Sequence, residues 1–365
     1  MGPRLGVVAW VFLSAIVMSS GCTVAPGGDK AGAHAGSVVL QMAVTGTNDP
    51  VDPGGRFAQR LLVLSDGTIR VQFLEGWGQD AADREQQVVR AVASGRVDLG
   101  ATGARVFDTM GVDSFQALLA PMLIDSRALQ EAVLRSDIPL QMLQDLDAVG
   151  VTGLALAGGG LSRPFSERRP LLDLADWRGV GFGTARSKIQ EETIAALGAT
   201  PVEAVGPFAE NDVANGKITA FASELGGYVN QIGTTTRVRF GAANVVLWPG
   251  FGVLIASPRR LASLSDQQRA WIRQAAGEWT TAFEQELSGE DAAAQRRSCA
   301  AGARFALASP MALAAMRRAV VPVYERIERD PQTRASIRQI RALKRTMPGE
   351  AVIPIPPTCR WNGSG

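Results

Sequence analysis

The sequence predicts an α/β fold in two lobes, with mixed sheets and a hinge between the lobes. Three observations lead there. Strand-like and helix-like periods alternate from Val38 onward, which implies a mainly parallel sheet covered on both faces. About 340 residues follow the N-terminal leader-like segment, more than one hydrophobic core usually serves. A strand pair around Asn244–Leu247 and Val253–Ala256 reads as the crossing back between lobes.

The first 22 residues carry one basic residue, Arg4, then an apolar run from Leu5 to Met18 and a small-residue end, Ser19-Ser20-Gly21-Cys22. The run is shorter than the ~20 residues that span a bilayer, so it reads as a secretion signal. Residues 23–37 are small and polar and read as a tether that contains His34, the one histidine of the chain. No later segment is apolar for long enough to cross a membrane. The expected location is therefore outside the cytoplasm.

In the first lobe, expected over residues 38–156, Val38–Val44 is an apolar strand. Gly55–Leu64 places Phe57, Leu61 and Leu64 on one helical face, and Ile69–Leu74 alternates as a second strand. Arg84–Ser94 is a helix that Gly95 stops, and Val97–Ala101 is a third strand. In the second lobe, expected over residues 157–247, Asp173 or Asp176 can cap a short turn carrying Leu174 and Trp177. Gly179 lets the chain reverse into the strand Val180–Phe182, and Ser187 opens a helix closed by Gly198. A segment near 248–280 is expected to return to the first lobe, and 281–345 to form helices packing across both. Ser265 and Gln268 form a capping box, followed by a helix with Ile272, Ala275, Trp279 and Phe283 on one face. Ser309-Pro310 starts another, whose apolar residues Leu313, Met316, Val320, Val323 and Ile327 read as one continuous stripe.

Composition excludes several kinds of chemistry. With 37 basic and 35 acidic residues the net charge is +2, and the basic cluster Arg334, Arg338, Arg341, Lys344 and Arg345 has the spacing of a solvated helix face, so no nucleic-acid partner is expected. The only histidine lies in the tether, which removes histidine-activated nucleophiles and histidine-ligated zinc from the folded part. Gly179-Val180-Gly181-Phe182-Gly183 has the wrong spacing for a dinucleotide loop, and these glycines read as turn and pocket floor. A carboxylate pair such as Glu224 with Asp212 has no supporting motif. The expectation is a binding protein with no catalytic residues, cofactor or metal.

Arg169-Pro170-Leu171-Leu172, then Leu174-Ala175-Asp176-Trp177-Arg178-Gly179-Val180, then Ala196-Leu197-Gly198-Ala199-Thr200-Pro201-Val202 follow one another within about thirty residues. The order resembles the middle of the TRAP-type (DctP-like) extracytoplasmic solute-binding proteins. The stretches Ser65–Phe73, Ala93–Gly103 and Phe115–Ile124 are similar to that family too, so the resemblance covers about residues 38–290. It implies a periplasmic-binding-protein-like fold, a small-molecule ligand (an organic acid, a sugar-like or a neutral metabolite), delivery to TRAP membrane permease subunits, and a monomer. Ser-Gly-Cys is similar to a lipobox, so Cys22 is expected to be acylated and to anchor the protein to the membrane facing the periplasm or cell exterior. With Cys22 so used, Cys299 and Cys359 remain as a disulfide pair pinning the Pro-rich tail, residues 346–365.

The resemblance also shapes the expected site. The family's signature arginine, which clamps a carboxylate, falls at Gly183. Arg163, twenty residues earlier, stands where some members carry a second arginine, and is the first substrate-binding candidate. Loops after strands add Asn48, Trp77 and Arg105; Glu224 and Tyr228 follow a degraded family turn; Trp248 offers an aromatic wall. Arg186 is a weaker substitute for the missing clamp. With the clamp absent, the cargo is expected to be neutral or weakly anionic rather than an ordinary C4-dicarboxylate. Within binding proteins, a sensor subunit docking on a membrane receptor is the neighbouring reading; a secreted enzyme using cleft carboxylates and a structural envelope lipoprotein are the readings from other classes.

Overall fold

The computed structural model describes residues 37–46, 53–204, 206–232, 237–287, 290–347 and 354–363. The leader, the tether, Cys22 and Asn48 lie outside them. Ten strands occur among the described residues: β1 Val38–Ala43, β2 Ile69–Leu74, β3 Leu99–Gly103, β4 Thr152–Ser166, β5 Gly181–Thr184, β6 Thr200–Glu203, β7 Ala220–Ser223, β8 Phe240–Ala242, β9 Trp248–Ala256 and β10 Arg304–Ala306.

Their order is β2-β1-β3-β9-β4-β7-β5-β6, with β8 joining β4 to β10. β1 pairs parallel with β2 and β3, and β5 pairs parallel with β6 and β7, as strand-helix-strand connections require. The two parallel groups are joined by antiparallel partners, β3 with β9, β9 with β4 and β4 with β7. The molecule is thus a two-lobed α/β protein in which β4, fifteen residues long, belongs to both sheets. β9 runs beside it and crosses with it. Asn244–Leu247 is not the second strand of a crossing pair: Asn244 sits in a turn and is held at both amide atoms by the Ala308 backbone, at 2.8 Å each. β9 instead finds its partners on either flank, in β3 and β4.

Local sequence chemistry decides the helix ends. Asp173 and Asp176 close a full capping box over Leu174–Trp177. Ser187 Oγ caps Lys188–Leu197, which ends on Gly198 at φ 103°. Ser265 and Gln268 bond reciprocally at 2.9 and 3.2 Å, as their spacing requires. The stripe after Ser309, by contrast, is two helices, Pro310–Ala319 and Val321–Ile327. Pro322 has no N–H to continue the first ladder, so the chain breaks at Val320 and restarts with the proline in the first turn. The apolar face survives the break: Met316, Val320, Val323 and Ile327 are all buried.

Trp177 is fully buried and stacks on Phe182, ring centroids 5.5 Å apart, in the core beneath β5. Phe182 therefore faces inward, while its neighbours Gly181 and Gly183 meet other surfaces. A Cβ at Gly181 would fall 1.8 Å from the Lys217 carbonyl, so only glycine fits where β5 and the chain entering β7 come together.

Candidate functional site

The strand ends at the crossing enclose a cavity of about 560 Å³. Its walls come from both halves of the chain: Arg84, Arg105 and Leu119 on one side, Gly183, Thr184 and Phe221 on the other. Pro249 and Gly250 of β9 and Ser162 of β4 line it at the crossing.

Glu224 is the most constrained acid here. It follows β7 and reaches into a gap made by three glycines. A Cβ on Gly160 or Gly250 would stand 2.4 or 2.1 Å from a Glu224 carboxylate oxygen, and one on Gly159 at 3.0 Å. The run Gly158-Gly159-Gly160 coincides with a register shift between β4 and β9, where the ladder is interrupted and room opens for a side chain. Burial raises the Glu224 pKa above its ordinary 4.5, against the Gly160 backbone and the Arg127 and Arg105 charges, which favour the anion.

Around that gap lies an ionic cluster. Arg127 Nη1 donates to the Gly159 carbonyl at 2.6 Å, and Gln130 Nε2 donates to the carbonyls of Gly159 and Gly250 at 3.2 and 3.0 Å. Gln130 thereby holds both crossing strands. Asp291 lies 3.4 Å from Arg127 and 3.8 Å from Arg163. A second buried acid, Asp108, accepts from Ser187 Oγ at 2.7 Å and from the Ile189 N–H at 3.1 Å, tying the helix behind Thr184 to the segment after β3.

A pH prediction follows from Glu224. Its folded pKa lies above the unfolded one, so the stability linked to it is full below about pH 4.5 and lost as pH rises through the raised value. Glu224→Gln is expected to shrink the fall in melting temperature between pH 4 and pH 8. An unchanged slope in thermal unfolding of the two proteins would show that the acid is solvated.

Four of the expected residues, Arg105, Gly183, Glu224 and Trp248, line the cavity. Three expected contacts are placed elsewhere. Arg163 is 2% exposed on β4 and donates to the carbonyls of Leu161 and Ala243, each at 3.0 Å, because its strand position turns it into the body of the protein. Trp77 packs on the first core, its ring 4.7 Å beneath the Arg96 guanidinium. Tyr228 stacks on Phe165 at 3.9 Å and donates to the Val238 carbonyl at 2.8 Å. Arg186 pairs with Glu203 at 3.2 Å and does not line the cavity. The sequence reading passed over Arg84, Ser162, Thr184, Gln190 and Phe221 in the lining, and Arg127, Gln130 and Asp291 behind it. Three consecutive glycines inside a strand were the available signal for the last group, since glycine in a strand interior marks close approach of another group.

Comparison with known proteins places this arrangement. Residues 54–210 match the model of "Bacterial extracellular solute-binding protein, family 7", DctP. This part of the chain, under half of its length, is similar to that family. Over 153 residues the chain is 27% identical to the C4-dicarboxylate-binding periplasmic protein DctP of Rhodobacter capsulatus, an alignment covering 42% of this chain and 46% of that one, so the chain spans about half of the curated relative's length. Two solved TRAP periplasmic solute-binding proteins share its fold. One, from Ralstonia eutropha with bound (S)-2-acetolactate, gives a TM-score of 0.75 at 17% identity over 85% of this chain and 99% of the other. The other, from Roseobacter denitrificans with bound β-D-glucuronate, gives 0.74 at 17% over 83% and 99%. Among the described residues no helix is long and apolar enough to cross a membrane.

Proposed function

We propose that the chain is an extracytoplasmic solute-binding protein that captures a small organic acid between its lobes and hands it to a TRAP-type permease. The observation that carries this reading is the cavity of about 560 Å³ at the crossing of β4 and β9, with walls from both lobes. Small ligands bind in such clefts, and domain closure around two crossing strands buries them. The structural neighbours that hold acetolactate and glucuronate support an organic acid as cargo. The leader ending in Ser-Gly-Cys supports export, acylation of Cys22 and a membrane-anchored, outward-facing monomer on a short tether.

The test is thermal unfolding against a panel of small organic acids, with native mass spectrometry of the protein as purified. One acid at a hundred times its Kd is expected to stabilise the fold by about 2.7 kcal/mol, an easily read shift. Turnover of any panel member, or no saturable shift with any acid, would overturn the reading.

A further inference from the structure

We infer that the cleft selects a small monocarboxylate with an apolar body, its carboxylate held by Arg84 and its body lodged in the chamber that opens at Gly183. This rests on the solute-binding reading above and narrows it to a chemical class.

Four charged side chains line the cavity: Arg84, Arg105, Glu210 and Glu224. Arg105 is answered at 2.5 Å by Glu85. Glu224 is turned into its glycine cradle, where the Gly160 backbone, Arg127 and Arg105 meet its charge. Glu210 is exposed, on the same helix as Val213. The Arg84 side chain has no hydrogen-bond or ion-pair partner among the described residues. A half-buried guanidinium on a cavity wall is a fork suited to one carboxylate.

The lining around Gly183 is apolar. A Cβ built on Gly183 would meet only carbon, Ala204 Cβ and Ile218 Cγ2, each at 3.3 Å, and Val213 and Phe221 continue that wall. A second carboxylate lodged there would be stripped of water with no cation to meet it. A ring of hydroxyls would lose its hydrogen bonds in the same place. One polar handle is present at the rim of this chamber: Thr184 lines the cavity at 4% exposure and its hydroxyl is buried without a partner. A hydroxyl on the ligand would satisfy it.

Isothermal titration of the folded protein with five probes tests the assignment: 2-hydroxyhexanoate, hexanoate, hexanamide, succinate and glucuronate. The expected order is 2-hydroxyhexanoate first, hexanoate next, and the other three at least about tenfold weaker. Arg84→Ala is expected to weaken 2-hydroxyhexanoate roughly 10- to 100-fold while the unliganded melting temperature stays put, since the side chain has no partner to lose among the described residues. Gly183→Val fills the chamber and is expected to weaken it by a similar factor; should that variant misfold, Arg84→Ala still decides. Tighter binding of succinate or glucuronate than of 2-hydroxyhexanoate, equal binding of hexanamide and hexanoate, or an Arg84→Ala protein with unchanged Kd overturns this inference and leaves the solute-binding reading standing. No saturable binding by any of the acids overturns both.

Discussion

Asp291→Ala is expected to destabilise the protein by about 3 kcal/mol, because it removes the acid between two largely buried guanidinium groups. Asp291 is 3.4 Å from Arg127 and 3.8 Å from Arg163, whose side chains are 24% and 2% exposed. The three residues come from separate elements: the helix Arg127–Leu134, strand β4, and the helix Glu290–Ala300. Deleting the acid takes away an anion shared by both cations, which costs more than the pairs contribute while intact. Asp291→Asn keeps an acceptor and is expected to lose about half as much. Denaturant unfolding of both variants reads the effect. A loss below about 1 kcal/mol for the alanine variant would mean that water reaches the cluster and screens it.

The disulfide is expected to matter as much. Cys299 and Cys359 are bonded, with Cα atoms 5.4 Å apart across 60 residues of sequence. Opening a loop of that length releases about 4 kcal/mol of constraint on the unfolded chain by the chain-entropy model. In a chain of this size that corresponds to a fall of about 6 °C in melting temperature. The bond also fixes the tail: Trp361 N–H donates to the Phe305 carbonyl at 2.9 Å, and Arg360 bridges to Phe305 beside β10. The double variant Cys299→Ala, Cys359→Ala should melt lower and release the tail to protease before the body unfolds. Equal melting of this variant and the wild type would show that the tail is held by its backbone contacts alone.

Much of the scaffold was legible in the chain because it depends on neighbours in sequence. Ser187, Ser265 and Ser309 fixed helix starts by their own hydroxyls, Gly198 fixed an end by its positive φ, and the alternating apolar residues of β2 and the apolar run of β1 fixed the first sheet. The apolar stripe after Ser309 runs over two helices because Pro322 breaks the ladder, a local signal that the period of the stripe does not carry. The site was less legible. Arg163 and Tyr228 carry the chemistry of ligand contacts, yet the strand pairing of β4 with β7 and the stacking of Tyr228 on Phe165 turn both into the interior. Arg84 looks like any arginine at the start of an amphipathic helix, and only the placement of its side chain on a cavity wall, without a partner among the described residues, sets it apart.

The division has a physical cause. Periodicity, caps and turns are set within a few residues, so the sequence by itself determined a two-lobed α/β protein, its order of elements and its family resemblance. Which charges are neutralised depends on side chains far apart in sequence: Glu85 with Arg105 across 20 residues, Arg127 with Asp291 across 164, Glu224 against glycines on two other strands. Burial multiplies those electrostatic terms, and burial exists only once the lobes are packed. The tertiary structure therefore decided which arginines line the cleft and which are drawn into the interior or into ion pairs, and that carbon atoms surround Gly183.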